Sequence, residues 1–174
     1  LWVAVGDADF PYAVFDFTPD HTATGPTAFF AGFKGHLQAD ALAQYESLFG
    51  ENQATHVCCL AHARRKFVAA ADGGDARATA AVELFGRLYA VERTLPPLRP
   101  PSDDPAERNA RAAREAERKR LRRRDADPIL EALKAWLDAM RPGALPKSAL
   151  GIAIGYALNN WAALTRYRDE GHLA

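Results

Sequence analysis

Cysteine is scarce in this chain: its 174 residues hold two, adjacent at Cys58 and Cys59. Neighbouring thiols do not staple distant segments in the usual way, so a disulfide scaffold is excluded and a reducing, cytoplasmic setting is expected. Long apolar runs are lacking too. Nothing approaches the roughly 18 consecutive apolar residues of a membrane span, and no secretory leader is expected. Net charge is absent: 22 Lys and Arg balance 22 Asp and Glu, so the total names no partner. The chain begins at Leu1, not Met, in residues already patterned as a strand, as expected of an excised domain or gene fragment.

What is present is ample for one domain with a real core, or a domain plus an insertion. Hydrophobic residues make up 48% and charged residues 25%, the balance of a globular chain. The charge is unevenly spread. From Leu1 to Gly50 six acids (Asp7, Asp9, Asp16, Asp20, Asp40, Glu46) face one cation, Lys34. From Pro105 to Arg124 nine cations face three acids, Glu107, Glu115 and Glu117. An acidic front and a basic middle suit a protein that holds metal at one place and polyanion at another, although a solvated helix face accounts for the basic run equally well.

Along the chain, Leu1–Val5 and Tyr12–Phe17 read as two strands joined by the turn chemistry of Gly6-Asp7-Ala8-Asp9, a hairpin. Thr24-Gly25-Pro26 opens a short helix with Phe29, Phe30 and Phe33 on one face, closed by Gly35. His36–Ala39 is a strand running into Asp40. Ala41–Phe49 is helical, with Leu42, Tyr45 and Leu48 at helical spacing. Thr55–Leu60 is the next strand, and from Ala61 the pattern is helical. After Gly73-Gly74 every element is a helix. Asp104-Pro105-Ala106-Glu107 is a helix start with an acid at the cap, proline at the first position and Glu three residues after the cap. The basic helix that follows has few large apolar residues and is expected to project or to be partly disordered. Two more helices complete the chain, the last with Leu150, Ile154, Ala157, Trp161 and Leu164 on one stripe. The order predicts an α/β fold: a mixed sheet with a helical insertion in the C-terminal half. The expected divisions are a core over 1–74, a helical insertion over 75–145 with its basic helix at 105–124, and a C-terminal helix over 146–174 returning to the core.

The stretch His56–Phe67 (HVCCLAHARRKF) concentrates chemistry. Cys59-x2-His62 has half the spacing of a zinc site, but a second half is missing: the remaining histidines, His21, His36 and His172, bring no cysteine. A strand also sends Cys58 and Cys59 to opposite faces, so burial as small apolar residues is the expectation. His62, Arg64, Arg65 and Lys66 fall at the start of a helix, where phosphate binds well and Arg forks match its oxygens. They fit a DNA-backbone clamp, and they fit surface ion pairing. Arg118, Arg120, Arg122, Arg123 and Arg124 form an uncompensated positive end suited to phosphate neutralisation without base reading. Asp40, at the end of a strand, fits a metal-ligand carboxylate held rigidly and also fits the N-cap of the helix after it.

Four segments carry a resemblance. They are Leu1-Trp2-Val3 with Asp16-Phe17-Thr18-Pro19, the run Gly32–Asp40 (GFKGHLQAD), the run Cys59–Phe67 (CLAHARRKF), and Leu145–Gly151 (LPKSALG) with Ala153–Trp161 (AIGYALNNW). In this order they closely resemble the central domain of the insertion-sequence-66 family of bacterial transposases. The resemblance implies an RNase-H-like fold and DDE chemistry, in which three carboxylates hold two Mg2+ or Mn2+ ions. It places the middle catalytic and metal-binding Asp at Asp40, the first Asp before Leu1 and the final Glu beyond Ala174. Leu60 departs from the family pattern, which has Trp there, and is expected to be a packing change. The function implied is the central part of a DNA transposase, catalytically incomplete as this chain. Its partners would be transposon ends and target DNA, further copies of itself and accessory transposition proteins, with no membrane. The alternative is a degenerate, non-catalytic remnant that binds nucleic acid or a partner through its helices.

Overall fold

The computed structural model describes residues 1–7, 9–41 and 43–173. Ala8 of the first turn, Leu42 of the 41–49 segment and the terminal Ala174 lie outside the described residues.

Strands β1 (Trp2–Val5) and β2 (Ala13–Asp16) pair antiparallel, Trp2 opposite Asp16 and Val5 opposite Ala13. Asp7 closes the turn by accepting bonds from the amides of Asp9 and Phe10, the local competition with the backbone that makes Asp a turn residue. The hairpin docks through Trp2, whose indole N–H donates to Thr18 Oγ1 at 2.8 Å and whose ring meets His21 and Tyr45 edge-on. Helix α1 (Thr24–Phe29) packs close by because residue 25 is glycine: a Cβ there would lie 2.6 Å from Thr18 Cγ2. The expected helix end at Gly35 is corrected. The turn comes earlier, around Gly32 at φ +80°, a backbone conformation that favours glycine, while Gly35 sits under the Phe33 ring.

Strands β3 (His36–Ala39) and β4 (Thr55–Cys58) pair in parallel, Ala39 opposite Cys58. Parallel neighbours need a crossover, supplied here by a 3-10 turn over Ala43–Leu48 where the spacing predicted a longer helix. The single mixed sheet is corrected as well. Among the described residues there are two separate two-stranded sheets, β1-β2 and β3-β4. The chain is thus mixed α/β, dominated by helices.

The core lies among α2 (Leu60–Asp72), α3 (Ala78–Thr94), α5 (Asp127–Met140) and α6 (Ala149–Asn159). On α2 the inward stripe is Ala63, Phe67 and Ala70, and its small residues let α3 and α6 approach closely around Phe67. Phe67, Phe85, Leu88, Leu130, Leu133, Leu137, Leu150 and Ile154 are fully buried, each burial stabilising by roughly 1.5–3 kcal/mol. Ser148 caps α6 by accepting from the Gly151 amide, and Gly151 is where the first turn meets the Leu145 carbonyl: a Cβ would lie 2.0 Å from it. The last apolar stripe is not one helix. It breaks at Asn160, whose amide and side chain both donate to the Tyr156 carbonyl, and resumes as α7 (Trp161–Thr165).

Helix α4 (Pro105–Asp125) starts as its sequence predicts, with Asp104 accepting from the Ala106 amide at 2.8 Å. Glu107 does not complete a capping box; it takes a bond from Arg99 instead. The larger correction is that α4 does not project. Arg111 clamps Asp9 of the hairpin turn, and Arg118 and Arg122 point inward. Arg122, 0% exposed, forks onto Glu92 at 2.7 and 2.9 Å and donates to the carbonyls of Tyr167, Glu170 and Leu173. Arg118 donates to the carbonyls of Pro96, Gly171 and Leu173. A helix poor in apolar residues is therefore anchored by two long cations whose donors are satisfied by backbone.

Candidate functional site at the end of strand β3

Asp40 follows the last residue of β3, and α2 starts directly after its partner strand β4. The Cys59 amide donates to the Ala39 carbonyl, which seats the end of β3 against the entry to α2. This places the Asp40 carboxylate 4.0 Å from His62 Nε2, with the two side chains 29% and 41% exposed. A strand end and a helix start, both fixed by backbone bonds, thus bring together two residues that are 22 positions apart.

Tyr156, from α6, braces the site from beneath. Its hydroxyl accepts a long bond from the Ala41 amide at 3.4 Å and lies 3.3 Å from Cys58 Sγ. Burial first, then the Cys58 contact and the charge of Asp40, push its phenol well above the ordinary range, so it remains a neutral O–H. Lys66 lies over the Tyr156 ring at 4.7 Å, a cation–π contact that ties the basic turn to the same brace. Cys58 is buried, and burial pushes its thiol up. It packs as a small buried residue, as the strand pattern predicts.

The predicted cations divide into groups. His62, Arg64, Arg65 and Lys66 stand on the first two turns of α2 beside Asp40. Arg65 is exposed, while Arg64 and Lys66 are half-buried. Among the described residues His62 Nδ1 and Arg64 Nε are buried polar atoms without a hydrogen-bond partner. Arg118 and Arg122 turn away from solvent, so a phosphate-neutralising role for these two is corrected: their guanidinium donors are already spent on carbonyls and Glu92. Arg120, Arg123 and Arg124 are exposed, and each pairs with a neighbouring acid, Glu117, Asp169 with Asp127, and Asp125 respectively. The uncompensated end of the helix is compensated in space.

No Cys59–His62 metal grouping forms among the described residues. A grouping that sequence spacing missed is His36, Glu170 and His172, which are clustered closely enough to share an ion. Its signal was faint: a Glu-x-His pair far along the chain from an isolated histidine.

A family model described as "Transposase IS66 family" matches residues 1–174. The chain is 30% identical over 148 residues to the "Uncharacterized protein y4jD" of Sinorhizobium fredii (strain NBRC 101917 / NGR234), covering 81% of this chain and 26% of the relative. It therefore spans about a quarter of that relative's length. No solved structure matches. With the family's model covering every residue from the hairpin through α2 to the C-terminal turn, the chain belongs to the IS66 family of transposases.

Proposed function

We propose that this chain is the central part of a DDE-type DNA transposase, an RNase-H-like catalytic layer that contributes Asp40 and carries the helices of 75–145 as an insertion. The observation that carries the proposal is the convergence of Asp40 with the basic start of α2, His62 Nε2 standing 4.0 Å from the carboxylate. A part-exposed carboxylate at a fixed strand end is the hard oxygen donor that Mg2+ or Mn2+ takes, the remaining positions going to waters, substrate phosphate and carboxylates elsewhere in the parent. When bound, two such ions activate the attacking oxygen and stabilise the leaving one. The chain's own residues hold and orient. Asp40 fixes a ligand position, Tyr156 steadies the turn after it, and His62 and exposed Arg65 face a phosphate at the N-terminal end of α2. Arg64 and Lys66 add positive potential there. Arg120, Arg123 and Arg124 reach DNA by exchanging carboxylate partners for phosphate. In this proposal the substrates are transposon ends and target DNA, and copies of the protein with accessory proteins assemble on them.

The test is Asp40→Asn in the full-length protein that carries this segment, with strand cleavage measured in Mg2+ and DNA binding measured alongside. Loss of cleavage with binding kept is expected; cleavage at the unsubstituted rate would overturn the assignment. A degenerate remnant predicts instead that the unsubstituted parent binds DNA and does not cleave it. Arg65→Ala is expected to flatten the salt dependence of binding by about 0.9 in log–log slope, the counterion release of one phosphate.

A further inference from the structure

We propose that His36, Glu170 and His172 form a second metal site, separate from Asp40, for a zinc-class dication that clips the C-terminal turn to the start of β3. The three residues offer one donor atom each, all within 4.8 Å of one another. His36 Nδ1 and His172 Nε2 stand 3.2 Å apart. Two imidazole nitrogens on one tetrahedral Zn2+, each bonded at about 2.0–2.1 Å, stand about 3.3 Å apart, so the spacing of this pair matches, and metal binding replaces the hydrogen bond the two rings share. Glu170 closes the group, with Oε1 3.6 Å from His36 Nε2 and Oε2 3.7 Å from His172 Nδ1. The carboxylate thus faces the ring nitrogens opposite to the pair that face each other, so loading one ion turns the carboxylate or the rings until one donor atom of each residue faces it.

The group sits on firmly built parts of the molecule. Glu170 and His172 flank Gly171, where a Cβ would lie 2.0 Å from the Glu115 carbonyl, so the turn rests directly on the backbone of α4. Buried Arg122 holds the Glu170 carbonyl and buried Arg118 the Gly171 carbonyl, while both hold that of Leu173. On the other side His36 is fixed by its pairing with Thr55. The donors therefore come from two preformed segments, which limits the ordering cost of binding. Arg166 opposes a cation here, and the Glu170 carboxylate offsets it. His172 also borders a cleft of about 250 Å3 lined by Asp7, Leu98 and the Arg111 pairs with Asp9 and Glu115, which leaves room for a water as fourth ligand.

The donor set decides the metal. Two imidazoles and one carboxylate suit Zn2+ and its neighbours, whereas Mg2+ takes oxygen donors. His36 and Asp40 stand at opposite ends of β3, four residues or about 13 Å apart along the strand. The site is thus distinct from Asp40 in place and in metal preference, and its test does not depend on transposase activity.

The experiment titrates Zn2+ into tag-free full chain by calorimetry, with Mg2+ as competitor. One Zn2+ per chain, not displaced by excess Mg2+, is expected. His36→Gln and His172→Asn should each weaken binding by more than about 100-fold, beyond the 10–100-fold that losing an orienting partner costs, and Cys59→Ser should leave it unchanged. Circular dichroism checks that the variants fold. A measurement on the unsubstituted chain needs no variant: the ring nitrogen NMR signals of His36 and His172 should both shift on zinc addition. Absence of stoichiometric binding, unshifted rings, undiminished binding in the doubly substituted chain, or loss of binding in Cys59→Ser would each overturn the proposal.

Discussion

The hairpin and the helical half of this molecule bury their apolar residues to very different degrees. In the hairpin and the residue that follows it, Val5, Phe15 and Phe17 are 75%, 66% and 76% exposed, although the segment is rich in aromatic and branched side chains. In the helices, Phe67, Phe85, Leu133, Leu137, Leu150 and Ile154 are fully covered, and Trp136, edge-on to Phe67, is partly covered. A two-stranded ribbon has two faces and nothing to close either, so isolated hairpins are marginal in water. Four helices around one aromatic residue close all sides. Stability therefore resides in α2, α3, α5 and α6, while the elements leading to Asp40 rest on that block through Tyr156, Arg166 and the clamp of Arg111 on Asp9.

Two substitutions pull this contrast apart. Phe67→Ala should cost about 3–5 kcal/mol of unfolding free energy in urea, because it opens a cavity that α3 and α6 cannot fill, whereas Phe15→Ala should fall within about 0.5 kcal/mol. Equal effects would place the core elsewhere. Arg122→Ala should cost about 3 kcal/mol, since it leaves Glu92 half-buried without its partner and frees three carbonyls of the C-terminal turn. Hydrogen exchange should rise at residues 167–173. Arg124→Ala, on the same helix but exposed and paired only with its neighbour Asp125, should change neither readout.

The same contrast marks what sequence could and could not say. Strand β3 with Asp40 at its end, the cap at Asp104 and the inward residues of α2 were legible, because each depends on residues a few positions apart. The fate of Arg118 and Arg122 was not. Most of their acceptors are backbone carbonyls some 45 to 55 residues away, which any sequence possesses and no pattern marks. A single mixed sheet was inferred from strand order, but order does not decide whether two ribbons join, and among the described residues they do not. The break at Asn160 was hidden for a local reason: the apolar stripe continues through it, and only the backbone turn at Asn160 (φ −105°, ψ 14°), with its side chain bonded to the Tyr156 carbonyl, reveals the interruption. His36 and His172 stood as isolated histidines in sequence because the fold alone closes the 136 residues between them.

The smallest expected effect lies at the seam between the two regions, in His56 on β4. Its ring stacks on Phe49 at 4.1 Å, its carbonyl takes a bond from Arg166, and among the described residues Nε2 is buried without a partner. A second ring proton would find no acceptor there. Burial holds His56 below the ordinary 6.5; a backbone contact to Ala39 acts in the opposite direction, and the nearby Arg166 charge adds to the depression. The sign follows from linkage. As pH falls through 6.5, the unfolded chain takes up a proton that the folded chain still refuses, so stability is full above that pH and declines below it. The decline levels off once the folded ring is itself protonated. Hydrogen exchange of β3 and β4 amides should therefore quicken between pH 7 and about 5 while the amides around Phe67 stay protected. His56→Phe, which keeps an aromatic face for Phe49 and removes the titration, should flatten that dependence. A steep dependence that survives the substitution would move the acid-sensitive group away from this seam.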